Sequence, residues 1–191
     1  MRQIIAFISL TLDGVMQAPG RADEDTRGGF QHGGWAVPYQ AMASGGELMM
    51  SSDALLFGRR TYEDFYGFWP HQGDNYFTGI LNNEQKYVAS NTLTAPLAWQ
   101  NSTLLNGDIA AKLREIKAGP GKDIVILGSG DLIQNLMPHN LIDRYVLMIH
   151  PLVLGSGRRL FPDAGVPATL KLTDTKSTDT GVIVATYQRA E

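Results

Sequence analysis

Hydrophobic positions along the chain fall into two kinds of pattern. Short apolar runs rich in β-branched residues occupy 3–10, 54–57, 86–89, 124–127, 144–149, 169–176 and 182–188, and each predicts a strand. Between them, apolar residues recur at three- and four-residue spacing over 38–50, 61–68, 109–117 and 131–137, which predicts helices. Strand and helix alternate through the first two thirds, the order of parallel strands joined by crossover helices, and the last third is nearly all strand. Its final two runs flank Asp179-Thr180-Gly181 and predict an antiparallel hairpin. The expected class is α/β: a mixed, mostly parallel central sheet flanked by helices, closed by a C-terminal antiparallel hairpin, in a single domain over 1–191. The polar, glycine-rich segment 20–34 is aperiodic and too long for a simple connection. It is either a flap near a site or a tolerated surface insertion.

Composition narrows the function. With 191 residues and 43% hydrophobic content, the chain can bury one core of ordinary size. A formal charge of −3, from 16 basic and 19 acidic residues without a basic block, leaves no electrostatic footprint for nucleic acid or an anionic membrane. The absence of cysteine removes disulfides, thiolate nucleophiles and cysteine zinc sites together, and fits a cytoplasmic protein. His32, His71, His139 and His150 show no paired ligand spacing, so no metal is expected. The N-terminus reads as a first strand with no cleavage pattern behind it, and no apolar run approaches the roughly 20 residues of a membrane-spanning helix.

Three strand-to-helix joints carry the candidate chemistry. In the first, Gly58-Arg59-Arg60 precedes Thr61, which stands three residues before Asp64 in the manner of a capping box. A helix opening here would offer a phosphate unpaired N–H groups, a partial positive charge and a guanidinium together; the alternative is two solvated arginines beside a turn. In the second, Gly128-Ser129-Gly130 is all that separates a strand from a helix. Ser129 is a candidate N-cap there, and the glycines would let backbone approach a diphosphate. Asp131 pulls the other way, because an acid in the first turn repels an anion. The third joint ends in Ser90-Asn91-Thr92, able to read a ribose or simply to cap a turn. Ligands collect at the carboxyl ends of parallel strands, so three such ends on one edge point to a nucleotide.

Taken in order, ISLTLDGVM, FGRRTYEDF, VASNTL, ILGSGDLIQNLMPHNLIDRYVLMIHPLVLGSGRRLF and the terminal hairpin resemble the reductase domain of bacterial riboflavin-biosynthesis deaminase-reductases and their stand-alone relatives, which share the dihydrofolate reductase fold. The resemblance implies a homodimer and a cofactor, NADPH, held by Gly58, Arg59, Arg60, Thr61, Ser90, Asn91, Gly128, Ser129, Gly130, Asp131 and Leu132. It implies hydride transfer to a small heterocyclic or sugar-linked imine or carbonyl, similar to reduction of 5-amino-6-(5-phosphoribosylamino)uracil. Asn91 stands where the family often places an arginine against the adenosine 2′-phosphate, and Arg59 or Arg60 is the replacement available. The zinc deaminase half of such proteins needs cysteine ligands and has no counterpart here.

The substrate cleft is expected between 12–17 and the helix after Trp35. Asp13 is the one acid of the first loop. It is a candidate to bond a heterocycle or relay a proton, although Asp-Gly is also a strong turn dipeptide. Trp35, Tyr39, Phe65 and Trp69 could stack on a planar substrate or belong to the core. The loop 151–162 reads as a structural turn, with Arg158 or Arg159 as candidates for an anionic group. Gln40 falls where the resemblance places the pterin-binding carboxylate of folate reductases. An amide cannot ionise, so dihydrofolate is expected to be a poor substrate. The alternative to an enzyme is a catalytically silent NADP(H)-binding sensor or scaffold.

Overall fold

The computed structural model describes residues 1–39, 46–73, 75–163 and 165–190. Eight strands form one sheet: β1 (Ile4–Thr11), β2 (Ser52–Gly58), β3 (Gln85–Ala89), β4 (Ser102–Leu105), β5 (Asp123–Leu127), β6 (Arg144–His150), β7 (Leu170–Ser177) and β8 (Ile183–Arg189). Their spatial order is β4-β3-β2-β5-β1-β6-β8-β7. Neighbours from β4 to β6 run parallel, and β8 pairs antiparallel with both β6 and β7. The helices are α1 (Gly46–Ser51), α2 (Arg59–Phe68), α3 (Tyr76–Asn83), α4 (Ile109–Ala118) and α5 (Gly130–Leu136). The expected α/β class, with its mixed sheet and terminal hairpin, is the observed one.

The alternation of faces explains the core. On β1 every residue is buried, as expected of an inner parallel strand. Ile4, Ala6, Ile8 and Leu10 pack with Leu113 of α4 and Leu132, Ile133 and Leu136 of α5. Phe7, Leu55, Phe57, Val125 and Leu127 face the other way, onto Tyr62 of α2 and Leu81 of α3. Strand β6 lies between β1 and β8. Its apolar length is therefore satisfied inside the sheet.

Two elements were missing from the pattern, α3 and β4. α3 carries polar residues among its apolar ones and starts at Asn75, whose side chain accepts from Thr78 N at 3.0 Å. At its other end the fully buried Lys86 donates to the carbonyls of Leu81 and Glu84, each at 2.9 Å, and lies 4.8 Å from the centre of the Trp99 ring. Burial pushes the Lys86 ammonium down to about 8. The expected helix over 38–50 is observed only as a 3₁₀ turn at Val37–Tyr39 and as α1; 40–45, with the candidate Gln40, lie outside the described residues.

Candidate active site

A cavity of about 1000 Å³ opens along the carboxyl ends of β5, β2, β3 and β4. All eleven residues expected to hold a cofactor line it: Gly58, Arg59, Arg60, Thr61, Ser90, Asn91, Gly128, Ser129, Gly130, Asp131 and Leu132. The two glycine joints are tied together, because Gly58 N donates to Ser129 Oγ at 2.9 Å. Ser129 thus stands at the N-cap position of α5 but does not cap it with its side chain. Its backbone is left-handed (φ 59°) and its hydroxyl reaches across to the neighbouring joint. The expected capping box fails as well. α2 begins at Arg59, Thr61 lies inside its first turn, and Asp64 pairs with Arg21 instead of returning to the helix start.

Each joint leaves particular groups for a ligand. The first N–H groups of α2 have no partner within the helix. Arg59 is drawn to Glu63, Nη1 to Oε2 2.9 Å, whereas no ion-pair partner meets Arg60 among the described residues. Ser90 Oγ accepts from Thr92 N and Leu93 N at 3.1 and 3.0 Å, so it caps a turn while still lining the cavity. Asn91 Oδ1 accepts from Gly107 N at 2.7 Å, which leaves its amide donors to face a ligand. Glycine at 130 makes room for a neighbour: a Cβ there would stand 2.0 Å from Met16 Sδ.

The opposite wall is made by 16–19, 23–27, Asp64, Phe65 and Phe77. The long loop is thereby a wall of the cavity and not a surface insertion. Arg21 fastens it to α2 through Asp64, with its guanidinium 4.5 Å from the Phe68 ring centre. Glu24 Oε2 accepts from Gly20 N and Arg21 N at 2.7 and 3.1 Å. Burial raises the carboxyls of both Glu24 and Asp64 above their ordinary values; the charge of Asp64 adds to the rise at Glu24, those of Asp23 and Asp25 add to it at Asp64, and Arg21 opposes it at both. Asp64 Oδ2 is buried without a hydrogen-bond partner.

The substrate-side candidates lie elsewhere. Asp13 is absent from the described lining, and its carboxylate is taken up by Thr11 Oγ1 (2.6 Å), Leu154 N (3.2 Å) and Gly155 N (2.9 Å). The Thr11 hydroxyl, followed by those two amides, holds Asp13 below its ordinary value. Trp35 is buried, donates from Nε1 to Gln17 O at 2.7 Å and meets the His150 ring edge-on at 5.1 Å; Tyr39 meets the same ring at 5.3 Å. Phe65 reaches the cavity, while Trp69 packs on Phe65, Phe68 and Phe77. Of the wall acids, the sequence singles out Asp64 only as a capping-box partner and Glu24 not at all. Neither belongs to a recognisable acidic motif, and only the loop's return to α2 brings them together.

A mixed sheet of this order, with a nucleotide-sized cleft at its parallel strand ends and a C-terminal hairpin, defines a dihydrofolate reductase-like α/β protein. The chain belongs to the RibD C-terminal domain family, whose pattern it matches over residues 2–184. YyaP of Bacillus subtilis, a protein without an assigned role, is 27% identical over 191 residues, spanning 97% of this chain and 94% of its own. Among solved structures, a Shewanella sp. PV-4 protein assigned to riboflavin biosynthesis superposes with TM-score 0.72 at 23% identity over 99% of both chains. A pyrimidine reductase-like protein of Corynebacterium diphtheriae gives 0.67 at 12% identity over 100% of this chain and 92% of its own. Enterococcus faecalis dihydrofolate reductase, solved with NADP(H), gives 0.63 at 13% identity over 99% and 97%. No helix among the described residues is long and apolar enough to cross a membrane.

Proposed function

We propose that this protein is an NADPH-dependent reductase of a small heterocyclic or sugar-linked imine or carbonyl, similar in reaction to 5-amino-6-(5-phosphoribosylamino)uracil reduction. One observation carries the reading: a single cavity collects two glycine joints, a third strand end and an arginine without an ion-pair partner. The residues present fit a dinucleotide. The first-turn amides of α2 suit a diphosphate, and the left-handed backbone at Gly128 (φ 60°) and Ser129 (φ 59°) turns the chain sharply beside it. Ser90 and Asn91 then suit the adenosine ribose. Nothing at that end replaces the family's arginine except Arg59 or Arg60, so Arg60 is our choice for the 2′-phosphate.

The cofactor supplies hydride when bound. What the chain must add is alignment, exclusion of water and a proton for the heteroatom whose π pair is released. Asp13 is badly placed for the proton, since it is absent from the described lining and its hydrogen bonds hold the carboxyl below its ordinary value. Glu24 and Asp64 face the cavity and burial favours their protonated forms, so we assign the proton to this pair. Phe65 and Phe77 give a planar substrate an apolar surface.

The test is loss of NADPH absorbance across pterins, the riboflavin-pathway pyrimidine and simple imines. Turnover of one class supports the reading, with dihydrofolate slow. NADPH binding with silence across the panel favours the sensor. A homodimer rests on the resemblance alone, and a monomer mass by light scattering would reject it.

A further inference from the structure

The first-turn acid Asp131 stands in the joint where the proposed function requires an anion, and its own charge would drive that anion away. The loop 151–162, read from the sequence as a structural turn, supplies the answer. Arg158 bonds the Asp131 carboxylate directly, and Arg27 Nη1 lies 3.9 Å from Asp131 Oδ2. The adjacent Arg159 turns away, donating from Nε to Asp13 O at 2.9 Å, so of this dipeptide Arg158 is the one that lines the cavity.

Arg158 is seated by a buried amide. Gln17, 4% exposed, accepts on Oε1 from Arg158 N at 3.0 Å and donates from Nε2 to Asp25 O at 3.1 Å and Arg27 O at 3.0 Å. Met16 N donates to Arg158 O at 2.8 Å, which fixes the backbone of Arg158 from both sides. A single side chain thus registers the two segments that carry the arginines, and Gln17, Arg27, Asp131 and Arg158 all line the cavity.

We propose that Arg158, registered by Gln17 and assisted by Arg27, is a positioning residue that cancels Asp131 and so makes the glycine joint hospitable to the cofactor's diphosphate. The inference rests on the NADPH reading given above. Asp131 in turn keeps Arg158 at the joint, where a free guanidinium would be drawn into solvent. The geometry also explains why an acid is tolerated in an anion-binding wall: the wall's charge is set by three residues from three segments and not by the joint alone.

A double-mutant cycle on NADPH affinity, measured by calorimetry with the full chain, tests it. Arg158→Gln is expected to weaken binding about 10- to 100-fold, the span of a charge-assisted interaction. In an Asp131→Asn background the same substitution is expected to change affinity less than about threefold, because the charge to be cancelled is gone. Asp131→Asn alone is expected to leave affinity within about threefold of wild type, because Arg158 is then released to solvent and neither charge remains at the joint. A purely structural or direct-contact role for Arg158 predicts the same loss in both backgrounds, and that result would overturn the proposal. Should Arg158→Gln fail to fold, the double variant decides: affinity within about threefold of wild type supports compensation, and a loss of about 10-fold or more overturns it. A wild-type chain that binds no NADPH overturns the cofactor reading and this inference together, whereas NADPH binding with additive substitutions overturns this inference alone.

Discussion

The two walls of the cavity are built by different means. On one side, Gly58 to Thr61, Ser90-Asn91 and Gly128 to Leu132 are strand ends, each complete within a few consecutive residues and joined by one cross-link, Gly58 N to Ser129 Oγ. On the other, 16–27 and Arg158 are held by bonds between segments as far apart as Gln17 and Arg158, and by ion pairs of Arg21 with Asp64 and of Arg158 and Arg27 with Asp131. The first wall takes its shape from backbone geometry, which survives side-chain change. The second depends on a few side chains, so we expect substitutions there to move chemistry and stability, Arg158 acting on affinity through its pairing with Asp131, and substitutions in the first to move cofactor affinity.

The largest separation should come from Glu24→Gln or Asp64→Asn. Loss of a positioned acid lowers kcat by about two to four orders of magnitude, with NADPH affinity within about twofold of wild type. The pH dependence follows from the direction of the shift. Both carboxyls are raised by burial, so the protonated pair persists above the ordinary carboxylate range, and kcat holds at low pH and falls as pH rises through that raised value. In the amide variant the residual rate should lose this descending limb. A wild-type profile in either variant would return the proton to another donor.

Next in size is Gly157→Ala. Gly157 has φ 114°, and a Cβ there would stand 2.7 Å from the Phe30 ring and 2.8 Å from Val15. Strain and overpacking together should cost about 2–4 kcal/mol in urea unfolding. A change under about 0.5 kcal/mol would mean that the second wall is not packed as a unit.

Arg60→Ala should weaken NADPH binding about 10-fold or more without altering stability, and Arg59→Ala less, because Arg59 must first leave Glu63. Equal losses would show that the pairing does not matter. A further effect lies outside the cavity, at Lys86. Its folded value is about 8 against an ordinary 10.5, so the unfolded chain binds more protons between those values, and stability rises as pH climbs through that window. Lys86→Met should flatten this rise in thermal unfolding followed across the same range.

The legibility of the sequence divides along the same line as the walls. Strand period, glycine joints and the hairpin turn at Gly181 are local signals, and β1, β2, β5, β6 and α2 lie close to where the pattern puts them. α3 was hidden because its cap, Asn75, and its terminal partner, Lys86, are polar and its apolar face is narrow. Asp13 looked like the acid of the site because it is the only carboxylate in its loop. Its use by Thr11 and by amides 141 and 142 residues away has no local trace. Glu24, Asp64 and Gln17 were illegible for the same reason: each acquires its role from a chain segment that only folding brings near.

The central claim, that the strand-end wall takes NADPH, is tested most directly by amide chemical-shift mapping of the labelled protein during titration with NADPH. The account predicts saturable shifts at Gly58, Arg59, Thr61, Ser90, Asn91 and Gly128 to Leu132, with the separate groove around Gln134, Phe161 and Val166 unmoved. Shifts centred on that groove, or none at millimolar NADPH, would contradict it.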